Sequence, residues 1–402
     1  MKILLAHNFY RSSAPSGEDA VFRNEKKMLE KQFDVVTFER YNDDIDDSSL
    51  VKKISLARQG AWSLPTYQSL IKLLAETRPD IAHFHNTFPQ ISPSAYAACQ
   101  DSGVPVVQTL HNYRYICPNA LLLRDGSLCE DCLEGSLWPA IQHRCYRKSL
   151  LATGAQVWTI ASNRRRGTYM NLVNRYIALT SFAAKKLILG GLPKERIEIK
   201  PNFLNTIPEI GRGEGGYAVY VGRLAEEKGI RTLVDAWRKV SNLRLKILGD
   251  GPLRRELEET VKLHNLPIDF LGYCDTENIF SIVGDAVFQV VPSEWYEPFG
   301  MVVLEAYACG TPVIASKIGS LEEIVKEGET GFTFQAGNIL DLVNVVKKLL
   351  SDKSRLTTMR ANTRSYFLDN YTHEKNLHIL TSIYQSAMAD FQDCKIPLTR
   401  QE

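Results

Sequence analysis

Short runs of aliphatic and β-branched residues alternate with longer stretches whose apolar positions recur at helical spacing along most of this 402-residue chain. In the first half the runs are KILLAH at 2–7, DVVTFE at 34–39, DIAHFH at 80–85 and PVVQTLH at 105–111. Between them lie amphipathic stretches such as GEDAVFRNEKKMLEKQ at 17–32, with Ser16 placed to cap the helix. The second half begins the alternation again: YAVYVGRL at 217–224, a helix at 229–240, LRLKILGDG at 243–251 and a helix at 252–266. IDFLGYC, a helix around Asn278–Val283, AVFQVVPS and PVIAS follow, and after GFTF at 331–334 the remainder reads as helices, the last at 372–388. Strand runs separated by helices predict parallel sheets built from βαβ units. The pattern therefore predicts an α/β protein with two complete halves, and the glycine-rich GRGEGG at 211–216 is the candidate linker.

Length agrees, since 402 residues exceed one ordinary core and suit two domains of about 150–200 residues each. With 23% charged and 44% hydrophobic residues the composition is that of a soluble globular protein. No apolar run is long enough to span a bilayer. The N-terminal apolar run meets a histidine too early for an export signal, so a cytoplasmic, reducing setting is expected for the eight cysteines.

Charge is uneven. Residues 135–194 hold ten Lys or Arg and no Asp or Glu, including Arg144, Arg147, Lys148 and Arg164–Arg166, with Trp138 and Trp158 nearby. This pattern fits a solvated helix face or a surface that attracts anionic lipid head groups or a phosphate-bearing acceptor.

The chemistry concentrates in EPFGMVVLEAYACGTPVIAS at 297–316. Pro298 biases Glu297 towards an extended loop, and a helix from about Gly300 to Cys309 carries Glu305 roughly 7.5 Å along its axis. A helix N-terminus attracts phosphate, so the two carboxylates bracket a phosphate site and can accept hydrogen bonds from hydroxyls on either side of a diphosphate. A glycosidase pair flanking a single bond fits this layout poorly.

These residues resemble the E-x7-E motif of glycosyltransferase family 4, retaining enzymes of GT-B fold. VGRLAEEKGI at 221–230, LGDGP at 248–252, FLGYC at 270–274 and TLHN at 109–112 match in the family's order. The resemblance implies two facing Rossmann-like doubly wound domains with an interdomain cleft: an acceptor-binding domain at 1–205 and a nucleotide-sugar domain at 206–370. Residues 371–402 would carry a helix back onto the first domain.

It also implies site roles. Arg223 and Lys228 would clamp the donor diphosphate, Glu305 would bind the ribose, and Gly272 with Tyr273 would meet a base that could be uracil, guanine or adenine. Glu297, Pro298, Phe299 and Gly300 would hold the sugar, His111 would face it near the reaction centre, and Gly17 would let backbone approach the donor. Glu297 is read as positioning sugar and not as a nucleophile. His83 and His85 share a strand face and are expected to line the acceptor side or pack in the core. The resemblance implies that no metal would be required for catalysis.

An insert at 114–150 carries Cys117, Cys129, Cys132 and Cys145, a set able to hold structural zinc or to remain as thiols or disulfides. The implied reading is transfer of a hexose from a UDP-sugar, or a GDP-sugar, to a lipid-linked or polysaccharide acceptor. The protein would act in the cytoplasm, at the inner face of a membrane through 135–194, with no nucleic-acid partner. A nucleotide-sugar epimerase and a non-catalytic subunit of a glycan-assembly complex are the rivals.

Overall fold

A computed structural model of the chain describes residues 1–13, 16–46, 48–240 and 242–393. Pro15 and the terminal 394–402 lie outside the described residues. The chain divides into two compact units. One comprises Met1–Leu122, Glu130–Asn202 and the chain from Asn376 on; the other comprises Leu123–Cys129 and Phe203–Lys375.

The sheet of the first unit contains β1 (Lys2–Phe9), β2 (Asp34–Tyr41), β3 (Ile81–Phe84) and β4 (Val106–Leu110). A two-strand hairpin follows, β5 (Leu123–Arg124) and β6 (Ser127–Leu128), and then β7 (Arg175–Ala178) and β8 (Ile197–Ile199) return to the sheet. Six strands run parallel in the order β2-β1-β3-β4-β7-β8. Every residue of β3 and β4 is buried. Helices cover both faces of such a sheet, which is why these strands read as continuous apolar runs and do not alternate. The strands β7 and β8 escape the hydropathy pattern because RYIA and IEI are too short and mixed to stand out.

Ser16 caps the helix Gly17–Leu29, its hydroxyl accepting from the Glu18 amide while Asp19 reaches back to the Ser16 amide. This reciprocal cap contributes about 1 kcal/mol. The helix ends at Leu29, three residues short of the end of the 17–32 stretch that the apolar spacing suggests.

In the second unit β9 (Tyr217–Val221), β10 (Arg244–Leu248), β11 (Ile268–Gly272), β12 (Phe288–Val291), β13 (Val313–Ser316) and β14 (Gly331–Phe334) form a parallel sheet. Its order is β11-β10-β9-β12-β13-β14. Its core packs Trp237, Phe288, Phe332 and Leu245 with the aliphatic faces of the surrounding helices. The indole N–H of Trp237 is satisfied by the Leu243 carbonyl at 2.9 Å. In each sheet the chain reverses its direction of winding beside the first strand, at β1/β3 and at β9/β12, and ligands of doubly wound sheets bind at such points outside the carboxyl ends.

GRGEGG is not a linker. The amide of Gly211 bonds to Cys309, that of Gly213 to Gly284 and that of Gly215 to Asp285, so the stretch is fastened to the second unit. A Cβ on Gly211 would stand 2.1 Å from the Gly284 carbonyl oxygen. Glycine is required there for close packing of backbone on backbone, and the unit boundary falls earlier, between Asn202 and Phe203.

Candidate functional site

In the second unit the loops that leave β9 and β12 touch. Gly229 has φ 64°, and a Cβ there would lie 1.8 Å from the Pro292 carbonyl oxygen. This contact delivers the side chain of Lys228 to Glu297, Nζ to Oε1 2.7 Å. Ser293 also donates its hydroxyl to that oxygen. Glu297 is only 6% exposed. Burial alone would raise its pKa, but the Lys228 ammonium and the Ser293 hydroxyl hold it below the usual carboxylate range. The ammonium also lies 5.3 Å from the centre of the Trp295 ring.

Gly300, at φ 108°, begins the helix Met301–Ala308, and the Ser320 hydroxyl fixes the preceding turn by donating to the Pro298 carbonyl at 3.1 Å. Phe299 is buried against Tyr371. Glu305 lies in the second turn of this helix. Its carboxyl has no hydrogen bond or ion pair among the described residues, and burial pushes its pKa up to about 7. Gly272 ends β11 at φ 73° and accepts from the Gly249 amide, leaving Tyr273 85% exposed. Arg223 bonds Glu227 at 3.1 Å with 64% of its side chain exposed. The structure thus joins Lys228, Glu297 and the Pro298–Gly300 turn, and joins neither Arg223 nor Tyr273 to them by a hydrogen bond.

In the first unit Gly17 opens its helix with ordinary φ, and a Cβ would meet nothing within 4 Å, so the fold itself does not demand glycine there. His111 follows β4 and its ring lies within 21° of parallel to that of His85, centres 5.1 Å apart, with Nε2 2.9 Å from His85 Nδ1. His85 Nε2 lies 3.0 Å from Glu25 Oε1, and Lys200 Nζ lies 2.9 Å from Glu25 Oε2 and 3.0 Å from Asn376 Oδ1. His83 is fully buried, its ring nitrogens held by Tyr384 and Thr109 at 2.8 Å each, which makes it a core residue. A small open pocket beside His111 is lined by Glu18, Thr87, Asn112, Arg114 and Tyr115. Asn112 holds Glu18 Oε1 at 2.7 Å, while Glu18 Oε2 is buried without a hydrogen bond.

Glu25, His83 and His85 form the one group of three or more metal-capable side chains gathered within 4.8 Å among the described residues. The Lys200 ammonium already supplies the positive charge that Glu25 needs, which weakens the case for a cation there. Cys117, Cys129, Cys132 and Cys145 form no such group. Cys132 and Cys145 pack with Leu137, Ala140 and Ile160 in a small apolar cluster, and Cys117 bonds Asn119. All seven described cysteines are thiols.

Sequence reading missed Ser293, Glu25 and Lys200. Ser293 follows a strand at the switch point, which is a usable signal. Nothing local marks Glu25 and Lys200, which meet across 175 residues.

Comparison with known proteins fits this geometry. The model described as Glycosyltransferase Family 4 matches residues 26–207, and that described as Glycosyl transferases group 1 matches residues 207–366. An uncharacterized glycosyltransferase of Methanocaldococcus jannaschii is 24% identical over 364 residues, 90% of this chain and 91% of that protein. Glycogen synthase of Mycobacterium tuberculosis is 34% identical over 284 residues, 68% of this chain but only 61% of the synthase. Among solved structures, Anabaena HepE in complex with UDP superposes with a TM-score of 0.67 at 18% identity, covering 96% of this chain and 100% of HepE, which shows a shared fold. With two adjoining family models spanning residues 26–366 and two parallel Rossmann-like sheets, the chain is a GT-B glycosyltransferase that belongs to glycosyltransferase family 4.

Proposed function

We propose that this glycosyltransferase moves a hexose from a UDP-sugar to a lipid-linked or polysaccharide acceptor, with retention of configuration and without a catalytic metal. The observation that carries the reading is the part-buried Lys228–Glu297 pair beside the start of the Met301–Ala308 helix, with the unpartnered Glu305 carboxyl in its second turn. In this reading the helix N-terminus and Lys228, with Arg223 swung inward, neutralise the diphosphate as the bond from C1 to its oxygen breaks. Glu305 accepts from the ribose hydroxyls, Glu297 and the Pro298–Gly300 turn hold the sugar, and Gly272 with Tyr273 meets the base. Gly17 and His111, both in the first unit, serve the phosphate and the sugar. The acceptor oxygen bonds to C1 on the face the phosphate leaves, and its proton passes to the departing phosphate oxygen. Catalysis is then positioning and charge stabilisation.

HepE has been solved with UDP and with UDP-glucose, which favours uridine for the donor here. The basic block at 135–194 exposes Trp138 (64%) and Leu151 (76%), and Arg144, Arg147, Lys148 and Arg165 are also exposed. Exposed aromatic and aliphatic side chains among cations suit an anionic bilayer surface.

The test is a screen of UDP-, GDP- and ADP-sugars with purified protein, following hydrolysis and transfer to lipid-linked and soluble acceptors with and without EDTA. Transfer from a UDP-hexose, insensitive to EDTA and with the anomeric configuration kept, is expected. Lack of binding to every donor would reject the reading.

A further inference from the structure

We infer that Glu25 and His85 are positioning residues that lock His111 in its Nε2–H form, so that its bare Nδ1 is offered to a hydroxyl of the substrate. The inference rests on the proposed placement of His111 at the sugar.

A chain of contacts inside the first unit fixes where each proton sits. An ionised carboxylate only accepts, so the His85 Nε2 that stands 3.0 Å from Glu25 Oε1 must carry a proton. Lys200, 2.9 Å from the other oxygen, already balances the Glu25 charge, so a second cation at His85 would be buried without a counter-ion. Burial accordingly holds His85 down to about 4, against the pull of Glu25. His85 is then neutral at physiological pH, and its Nδ1 bears a lone pair. His111 Nε2, 2.9 Å away, must donate to that lone pair. Burial and the neighbouring His85 and His7 hold His111 well below the usual imidazole range, so it carries no second proton.

Its Nδ1 is left as an acceptor, and no described residue bonds to it. The ionisable groups facing His85 are Glu25 from the Gly17–Leu29 helix, His83 from β3, His7 from β1, His111 after β4 and Lys200 after β8. His83 is held by Tyr384 and Thr109 and presses on Glu25 at 3.1 Å, which steadies the carboxylate. In the same pocket Arg114 presents its guanidinium and Glu18 a carboxyl that burial makes harder to ionise, while His111 presents a neutral acceptor.

A bare imidazole nitrogen attracts a hydroxyl and repels an anionic oxygen. His111 therefore selects a sugar hydroxyl and takes no part in stabilising the leaving phosphate. A donor deoxygenated at the hydroxyl it meets leaves a polar group unpaired and should be turned over at least tenfold less efficiently.

The test uses the full chain labelled with ¹⁵N-histidine, the His111 signals being assigned by their loss in His111→Gln. Nitrogen shifts of a neutral Nε2–H tautomer, constant from pH 6 to 8, are expected; an Nδ1–H tautomer or an imidazolium overturns the inference, and this measurement needs no variant at the network itself. His85→Leu removes the acceptor and should release the tautomer. His85→Gln, with a carbonyl to accept from His111 and an amide to donate to Glu25, should restore it. In sugar transfer kcat should fall tenfold or more in His85→Leu and recover to within threefold in His85→Gln, with UDP affinity within twofold throughout. A released tautomer with unchanged kcat overturns the claim about substrate. Absence of transfer by the wild-type protein counts against the proposed activity, and the tautomer measurement then decides the inference by itself.

Discussion

The two glutamates of the EPFGMVVLE motif are opposites at the residue scale. Glu297 has its cation at 2.7 Å and is held ionised, whereas Glu305 has burial and no partner. With a native pKa of about 7 against an ordinary 4.5, Glu305 keeps in the folded state a proton that the unfolded chain releases. Its contribution to stability is complete below pH 4.5 and disappears as pH rises through 7. Glu305→Gln is therefore expected to raise stability at pH 8 by about 1–2 kcal/mol, allowing for the partial exposure of the side chain, and to change little at pH 4.5. Thermal denaturation at both pH values checks this, and equal shifts would disprove it. For Lys228→Met the reverse holds, since Glu297 is left buried without a counter-charge. A loss of about 1–3 kcal/mol is expected in urea denaturation, together with at least tenfold weaker nucleotide-sugar binding by calorimetry. Both glutamates are visible in the sequence as members of a motif. Their contrasting electrostatics are not, because these depend on which side chain the β9 loop delivers.

Among elements, the decisive ones are loops between a strand and a helix. Gly229 lies where two such loops meet, with positive φ and no space for a Cβ against the Pro292 carbonyl. Gly229→Ala is expected to cost about 3 kcal/mol or more, since strain and a backbone clash combine. A shift in the urea midpoint with unchanged slope would measure it, and a change under 1 kcal/mol would mean the loops part easily. The longer strands and helices were legible because buried parallel strands and amphipathic helices differ in period. The short β7 and β8 were not, and GRGEGG misled because glycine serves flexibility and close packing equally well; only the partner at Gly284 separates the two.

For the whole molecule, the α/β class and the doubling of the pattern could be read from the sequence, while the network around Glu25 could not. Lys200 and Asn376 are brought to it only by the finished tertiary fold. The surface at 135–194 adds a prediction at this scale. Vesicles rich in anionic lipid should bind the protein in a flotation assay, with binding lost in 0.5 M salt and reduced at least fivefold by Trp138→Ala with Leu151→Ser. Arg164 contributes less than its place in the Arg164–Arg166 run suggests, because it bonds the Gly190 carbonyl. Equal binding to neutral vesicles would leave the basic block a solvated face.

Asn376 and Tyr384 belong to the unit that begins at Met1, although the whole second unit intervenes in the sequence. During synthesis the second unit leaves the ribosome before the first can close around Lys200 and His83. A nascent chain stalled once Lys375 has emerged should therefore already protect Phe203–Lys375 from protease while the amino-terminal part is still digested. The order of maturation would then run against the order of translation.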